Sequence, residues 1–400
     1  MINIKQNACD FIKIFFVIFY KIVDSVFLYF INPSIIDDKS ILLIRLDSIG
    51  DYILFRNFIK YYKEYNKDSS LTLIGNIIWK DLSENFDAGY IDSFIWVDRV
   101  KFYRNLFYRY KKIMEISSKG YRFVIDPTFT RNFFLGSIII KFVNAKEKIG
   151  IKQDFFGKRN FIGKIFNQIG NDSKNFTKLI SLSKTPMFEF NRNREFCEKL
   201  LGLDAIIEKP SIDLHNIKLT VNIPEHYVVL FIGAAAKYRK WPLKNFIEVA
   251  FQIKNKLGYE VLLCGSSNDS GKIKQFISGF ENDIYNFVGK TSLLDLIYII
   301  SRSNLVISNE TSVPHMAVAL DIPVIVISNG NNLGRFVPYP KQITDRYYAL
   351  YPPDISKHLS SFNQLVSKYY NKSNLDIKGI GTIDVINTTV NALKLDCKKC

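Results

Sequence analysis

The segment NLVISNETSVPHMAVALDIPVIVI, from Asn304 to Ile327, decides the fold class. Two apolar runs, Leu305-Val306-Ile307 and Val324-Ile325-Val326-Ile327, bracket a stretch of small residues with helical spacing. That order reads as strand, turn, helix, strand, the unit of a parallel α/β sheet. Thr311 or Ser312 can cap the helix, Pro314 suits its first turn, and the alanines let it lie close to a sheet. Such a helix start offers backbone N–H groups and a positive dipole end, so it reads as a seat for phosphate. An ordinary βαβ unit has the same spacing. Glu310, Thr311, Ser312 and His315, gathered between two buried strands, point beyond it.

Working outward, the same alternation fills both halves of the chain. Upstream lie strands at Tyr227–Ile232 and Tyr259–Cys264, with helices at Phe246–Leu257 and Leu293–Ser301. Small or hydroxyl residues follow three strand ends, at Gly233–Ala236, Gly265–Ser267 and Gly289–Thr291, and let a ligand approach the backbone. The first half has strands at Ile41–Leu46, Leu71–Ile74, Ser93–Val97 and Phe123–Ile125, with helical periodicity over Tyr52–Tyr62. Asp47-Ser48-Ile49-Gly50-Asp51 turns out of the first of these, and Asp126-Pro127-Thr128-Phe129-Thr130-Arg131 ends the last. Open parallel sheets bind ligands beyond the carboxyl ends of their strands, where both of these turns sit. The stretch Ile149–Arg194 is polar, aromatic and irregular, and is expected to be a substrate-facing insertion. Patterning lapses from Glu208-Lys209-Pro210 to Asn222-Ile223-Pro224. The expected division is therefore 1–36, 37–215 and 216–400, with the helix Ile383–Leu395 free to pack back on the first domain. Neither a GxGxxG nor a Walker P-loop occurs, which argues against a dehydrogenase or a P-loop ATPase.

The chain has 400 residues, 48% of them hydrophobic and 23% charged, and a formal net charge of +16. It is a core-forming chain with anionic company, but it has no recognisable nucleic-acid module. Lys101–Lys112 mixes basic and aromatic residues and reads as a solvated amphipathic helix. The five cysteines are scattered, which fits a reducing compartment. Cys397 and Cys400 form a CxxC with no second pair, too little for a metal site. Phe11–Ile31 is greasy except for a stripe with Lys13, Lys21, Asp24 and Ser25. It reads as a helix lying in a membrane interface, too charged to span comfortably. The expected location is cytoplasmic, peripherally attached to the inner membrane.

Four segments in order, ILLIRLDSIGDYIL (Ile41–Leu54), FIGAAAKYRKWPLKNF (Phe231–Phe246), VGKTSLLDL (Val288–Leu296) and SNETSVPHMAVAL (Ser308–Leu320), resemble glycosyltransferase family 9, the heptosyltransferase-like group. The resemblance covers Ile41 to Leu395. It implies a GT-B fold, two Rossmann-like domains facing across a cleft, with the acceptor on the first and the nucleotide sugar on the second. It implies inverting transfer without metal or other cofactor, from a nucleoside-diphosphate sugar such as ADP-heptose to a lipopolysaccharide-type or other anionic glycolipid. Asp51 corresponds to the general base. Arg239 and Lys240 fall where the donor diphosphate is contacted, Asp269 where the ribose is held, and Gly289, Lys290 and Thr291 where the nucleobase is lined. Glu310-Thr311-Ser312 match the family's Asp-Thr-Gly, and His315 its following histidine. Ser48, Gly50, Asp126, Thr128 and Arg131 fall on the acceptor side. Glu310 in place of Asp, and Ser312 in place of Gly, imply a tighter sugar pocket. Two other readings share these features: a non-catalytic GT-B protein that binds a glycan or glycolipid, and a nucleotide-sugar epimerase on the same fold.

Overall fold

A computed structural model of the chain describes residues 18–396, apart from 28, 32–33, 133, 154–172, 184–185, 205–206, 215–221, 274–275, 277–279 and 281–283. Cys397, Cys400 and the start of the apolar N-terminal run lie outside the described residues.

Two six-stranded, wholly parallel sheets form the body. The first comprises β1 (Ile36–Arg45), β2 (Ser70–Asn76), β3 (Ser93–Val97), β4 (Gly120–Asp126), β5 (Ala145–Ile151) and β6 (Lys178–Ile180), in the order β3-β2-β1-β4-β5-β6. The second comprises β7 (Tyr227–Phe231), β8 (Glu260–Cys264), β9 (Tyr285–Asn286), β10 (Leu305–Asn309), β11 (Val324–Ile327) and β12 (Tyr347–Leu350), in the order β12-β11-β10-β7-β8-β9. Each repeats the doubly wound order, so the strand order reverses between β1 and β4 and between β7 and β10. The central strands are apolar without alternation because both faces are covered: every residue of β10 and β11 is buried.

Three expectations change. The periodicity over Tyr52–Tyr62 is not one helix. It starts as α1 (Ile49–Ile53), tightens to a 3₁₀ turn at Arg56–Phe58, and resumes as a helix at Ile59–Tyr65. Arg56 turns inward there, its Nη2 and Nε donating to Asp87 at 2.7 and 3.1 Å. The described parts of Ile149–Arg194 are in part regular structure that reaches the core, not insertion throughout. They supply the end of β5, all of β6 and the start of α4 (Glu189–Leu201), which buries Phe190, Arg192, Phe196 and Cys197. Buried charge hid that helix from a hydropathy reading. The Lys101–Lys112 stretch divides at Asn105 into α2 (Arg99–Arg104) and α3 (Leu106–Ser117), and Arg109 of α3 is wholly buried.

Arg109 meets the N-terminal helix, residues 18–27. Its Nε and Nη2 donate to the two oxygens of Asp24, each at 2.8 Å, and its guanidinium lies 4.9 Å from the Tyr20 ring centroid. The Tyr20 hydroxyl bonds the Tyr103 carbonyl, and Phe27 packs 4.9 Å from Tyr110. Asp24 thus faces the body, while Ile18, Ile22, Val26 and Tyr29 face out. No described helix is long and apolar enough to cross a membrane. At the other terminus, α7 (Thr382–Asp396) packs on α5 (Leu243–Leu257) and the second sheet, with Val385, Ala392 and Leu393 in that core. The return to the first domain is made earlier, by Tyr370, whose hydroxyl accepts from Arg192 at 2.5 Å.

Candidate active site

Both sheets aim their carboxyl ends into one cleft, where a cavity of about 640 Å³ opens. That is within the usual range for a small-molecule site. Its first wall is the β1–α1 turn: Ser48, Ile49, Gly50 and Asp51, with Ile78 beyond β2. Its second wall follows β7, β8 and β10: Gly233–Ala235, Arg239, Lys240, Ser266, Asn268, Asp269 and Glu310–Ser312, then His315, Asn332 and Phe336.

The first wall is fixed by Arg45, the last residue of β1. Buried over the Phe55 ring, its guanidinium reaches the Asp47 carboxylate at 3.2 Å, the Asp51 carbonyl at 3.3 Å, and Pro127 O and Asn193 Oδ1 at 3.4 Å. Asn76 and Trp79 hold the Asp47 carbonyl from the other side, at 3.0 and 3.2 Å. The Ser48 N–H donates to Asp51 Oδ2 at 3.3 Å. Burial, then the nearby Asp47 carboxylate, push the Asp51 carboxyl from 3.8 up to about 7, against the pull of Arg45 and Arg335. Asp51 is partly open to the cavity and enclosed by protein on its other sides, so its acid is reachable yet poorly solvated.

Gly50 brings the two domains into contact. A Cβ built on it would lie 2.8 Å from Cδ2 of His315. That ring is buried, its Nδ1 is 2.8 Å from the Tyr339 hydroxyl, and burial drives its pKa down to about 4. It is therefore a neutral imidazole that packs under the first domain.

On the second wall, Asn309 at the end of β10 accepts from the Trp241 N–H at 3.0 Å and donates to the carbonyls of Ile232 and Gly233. It joins the β7 loop to the β10 loop. Arg239 Nη1 stands 3.7 Å from Glu310 Oε1, and its buried Nε has no hydrogen-bond partner among the described residues. Glu310 takes the Ser328 hydroxyl at 2.5 Å, and burial raises its pKa despite Arg239. Lys240 Nζ donates to Asp269 Oδ1 at 2.7 Å, and the Ser266 hydroxyl donates to Oδ2 at 2.7 Å. Burial opposes ionisation of Asp269, but these bonds outweigh it and hold the carboxyl below its usual range.

The helix seat is less open than its sequence implies. α6 (Val313–Ala319) has seven residues; Thr311 Oγ1 accepts from the Val313 N–H, Pro314 has none, and the His315 N–H goes to Ser312 O. The helix start therefore offers the cavity the side chains of Thr311 and Ser312, with Arg239 on the same wall, rather than a row of free amides. Gly289, Lys290 and Thr291 form a turn beside Ser267, with Gly289 at φ 69°, and they sit outside the cavity lining. Asp126, Thr128 and Arg131 do not line it either. Asp126 accepts from the Thr128 N–H at 3.0 Å, burial pushing it up to about 6 against Arg131, while Arg131 donates to Ile151 O at 2.8 Å. These three build the β4–β5 end.

Sequence reasoning missed a buried latch across the cleft. Arg335 donates through Nε to Glu189 at 2.9 Å and through Nη1 to Thr130 at 3.2 Å, and the Glu189 N–H donates to Arg335 O at 2.9 Å. Arg192 adds a bond to Glu189 at 2.6 Å. Burial resists the charge on Glu189, yet Arg335, Arg192 and Arg45 pull its carboxyl down to about 2.

A family model described as Glycosyltransferase family 9 (heptosyltransferase) matches residues 111–351, a segment that begins after Asp51. Lipopolysaccharide heptosyltransferase 2 of Salmonella typhimurium is 27% identical over 93 residues, 22% of this chain and 26% of that protein. The Escherichia coli K12 protein of the same name is 25% identical over 93 residues, with the same two shares. The alignments therefore span about a quarter of those relatives' length. Among solved structures, a family 9 glycosyl transferase of Veillonella parvula superposes with TM-score 0.65 at 19% identity, covering 90% of this chain and 99% of that one. An Escherichia coli heptosyltransferase with ADP gives 0.65 at 16%, covering 88% and 99%. At these identities the likeness is one of fold, and the fold is GT-B.

Proposed function

Because the chain belongs to glycosyltransferase family 9, we propose that it transfers a sugar from a nucleoside-diphosphate donor to a hydroxyl of a lipopolysaccharide-type glycolipid, with inversion, without metal, and with Asp51 as general base. The observation that carries the proposal is the placement of Asp51. Its carboxyl, held near pKa 7, opens into the same cavity as Arg239, whose buried Nε lacks a partner among the described residues. A base is most effective when its pKa is close to the working pH, and such a base contributes on the order of 10²–10⁴-fold.

In this reading the acceptor hydroxyl lies against the first wall. Asp51 takes its proton as the oxygen forms a bond to the anomeric carbon, on the face opposite the diphosphate. The anomeric carbon–oxygen bond breaks, and its electron pair leaves on the nucleoside diphosphate. Arg239 and the hydroxyls of Thr311 and Ser312 meet that growing charge with fixed donors, which lowers the barrier. Lys240 acts through Asp269 and orders the β8 end of the wall. Glu310 lines the cavity, with one carboxylate oxygen taken by Ser328 and the other 3.7 Å from Arg239. The heptosyltransferase names of the relatives support heptose, carried on ADP, as the sugar.

Thermal stabilisation by ADP, UDP and GDP, followed by product analysis with ADP-heptose and a lipopolysaccharide core acceptor, tests the proposal. Stabilisation by ADP with acceptor-dependent release of ADP is expected. Binding without any turnover would favour a non-catalytic binder, and turnover without acceptor would favour an epimerase.

A further inference from the structure

The N-terminal helix buries a carboxylate beside Tyr20 and Phe27 while leaving a strip of large apolar side chains outside, and this feature stands independently of the transferase reading. A helix on a soluble protein normally buries its apolar stripe and shows water its charges. Here Asp24 is 1% exposed and locked to Arg109, while Ile22, Val26 and Tyr29 are 61%, 52% and 85% exposed. The two short bonds from a planar guanidinium fix the rotation of the helix about its axis. The apolar face is thus held outward rather than left to chance.

We infer that this face is a docking surface for an anionic lipid bilayer, with the Asp24–Arg109 pair as the latch that presents it. The face continues onto α3. Phe107, 74% exposed, shares a side of that helix with Tyr110, which touches Phe27 of the N-terminal helix, and with exposed Lys111 one turn on. Exposed Lys21 lies within the apolar strip, and exposed Lys101 and Arg104 lie on α2 beside the Tyr20–Tyr103 contact. Apolar side chains rimmed by cations match the acyl boundary and the headgroups of an anionic membrane, into which such a helix sinks by roughly 5–10 Å. A second copy of the chain fits less well. Lys21, Lys101, Arg104 and Lys111 stand in and around the strip, and a two-fold contact would set these cations toward one another.

The test is co-sedimentation of the full chain with vesicles of phosphatidylcholine alone, or with phosphatidylglycerol added. Ile22→Asp and Val26→Asp, both on the open face, serve as variants, with thermal midpoints checked for each. Binding to the anionic vesicles, falling with salt and weakened about tenfold or more in either variant at unchanged midpoint, is expected. Absence of binding to anionic vesicles, equal binding to neutral ones, or variants that bind like the parent would each overturn the inference. So would a concentration-dependent dimer that Ile22→Asp abolishes without any vesicle binding, since the occupant would then be a second copy.

Discussion

Replacing Asp51 by Asn changes one oxygen for an NH₂ group and removes the charge at almost constant volume. In the folded chain the acid sits near pKa 7, against an ordinary 3.8. A carboxyl that holds its proton more tightly when folded lowers stability as pH rises from about 4 to about 7, and the whole penalty is present above that. The full gap corresponds to a ceiling of about 4 kcal/mol. Asn carries no such dependence, so its advantage over Asp should grow by about 3 kcal/mol between pH 5 and pH 8.5. For a domain of this size that is a relative rise in thermal midpoint of about 5 °C or more. Parallel melts of the two proteins at both pH values read it, because titrating groups distant from Asp51 cancel in the comparison. A difference between the proteins that is the same at both pH values would refute the reasoning. Asp51 would then be an ordinary solvated acid, with no pKa suited to a base at neutral pH.

Other expectations concern the domain contact and the donor wall. Gly50→Ala drives a methyl to 2.8 Å from the buried His315 ring, which Tyr339 restrains, so it should cost about 1–3 kcal/mol in denaturant melts. Glu189→Gln leaves Arg192 and Arg335 facing an uncharged amide and should cost about 3–5 kcal/mol at neutral pH. In the parent protein that contribution should fade as pH falls below about 4.5 toward 2, since the folded carboxyl is the more acidic one. Arg239→Met should leave the thermal midpoint near that of the parent but weaken ADP binding, by about tenfold or more in calorimetry.

The residues legible in the sequence are those whose places follow from position along a strand. Asp51 and Glu310–Ser312 come just beyond β1 and β10, and Arg239 and Lys240 end the loop after β7; all three strands flank a switch point, which marks these turns as ligand-facing, while the roles expected of Asp51, Arg239 and Lys240 come from the resemblance to glycosyltransferase family 9. Asp126 also ends a switch-point strand, yet its carboxyl turns back to the Thr128 amide, a choice made by a local turn rather than by topology. What could not be read are partnerships between distant residues. Arg335 and Glu189 are 146 positions apart, and Asp24 and Arg109 are 85 apart. Without its arginine, Asp24 belongs to an exposed polar stripe; with it, Asp24 is buried while Lys21 and Ser25 stay at the surface. Asn309 was similarly opaque, since nothing in its neighbourhood announces Trp241 as its partner.

The most direct test of Asp51 as base compares ADP release from ADP-heptose, with a lipopolysaccharide core acceptor present, for the parent and Asp51→Asn, alongside ADP affinity for both. A loss of roughly 10²–10⁴-fold in turnover at nearly unchanged ADP affinity is predicted. Turnover close to the parent's, or a loss that merely follows weakened ADP binding, would contradict the account.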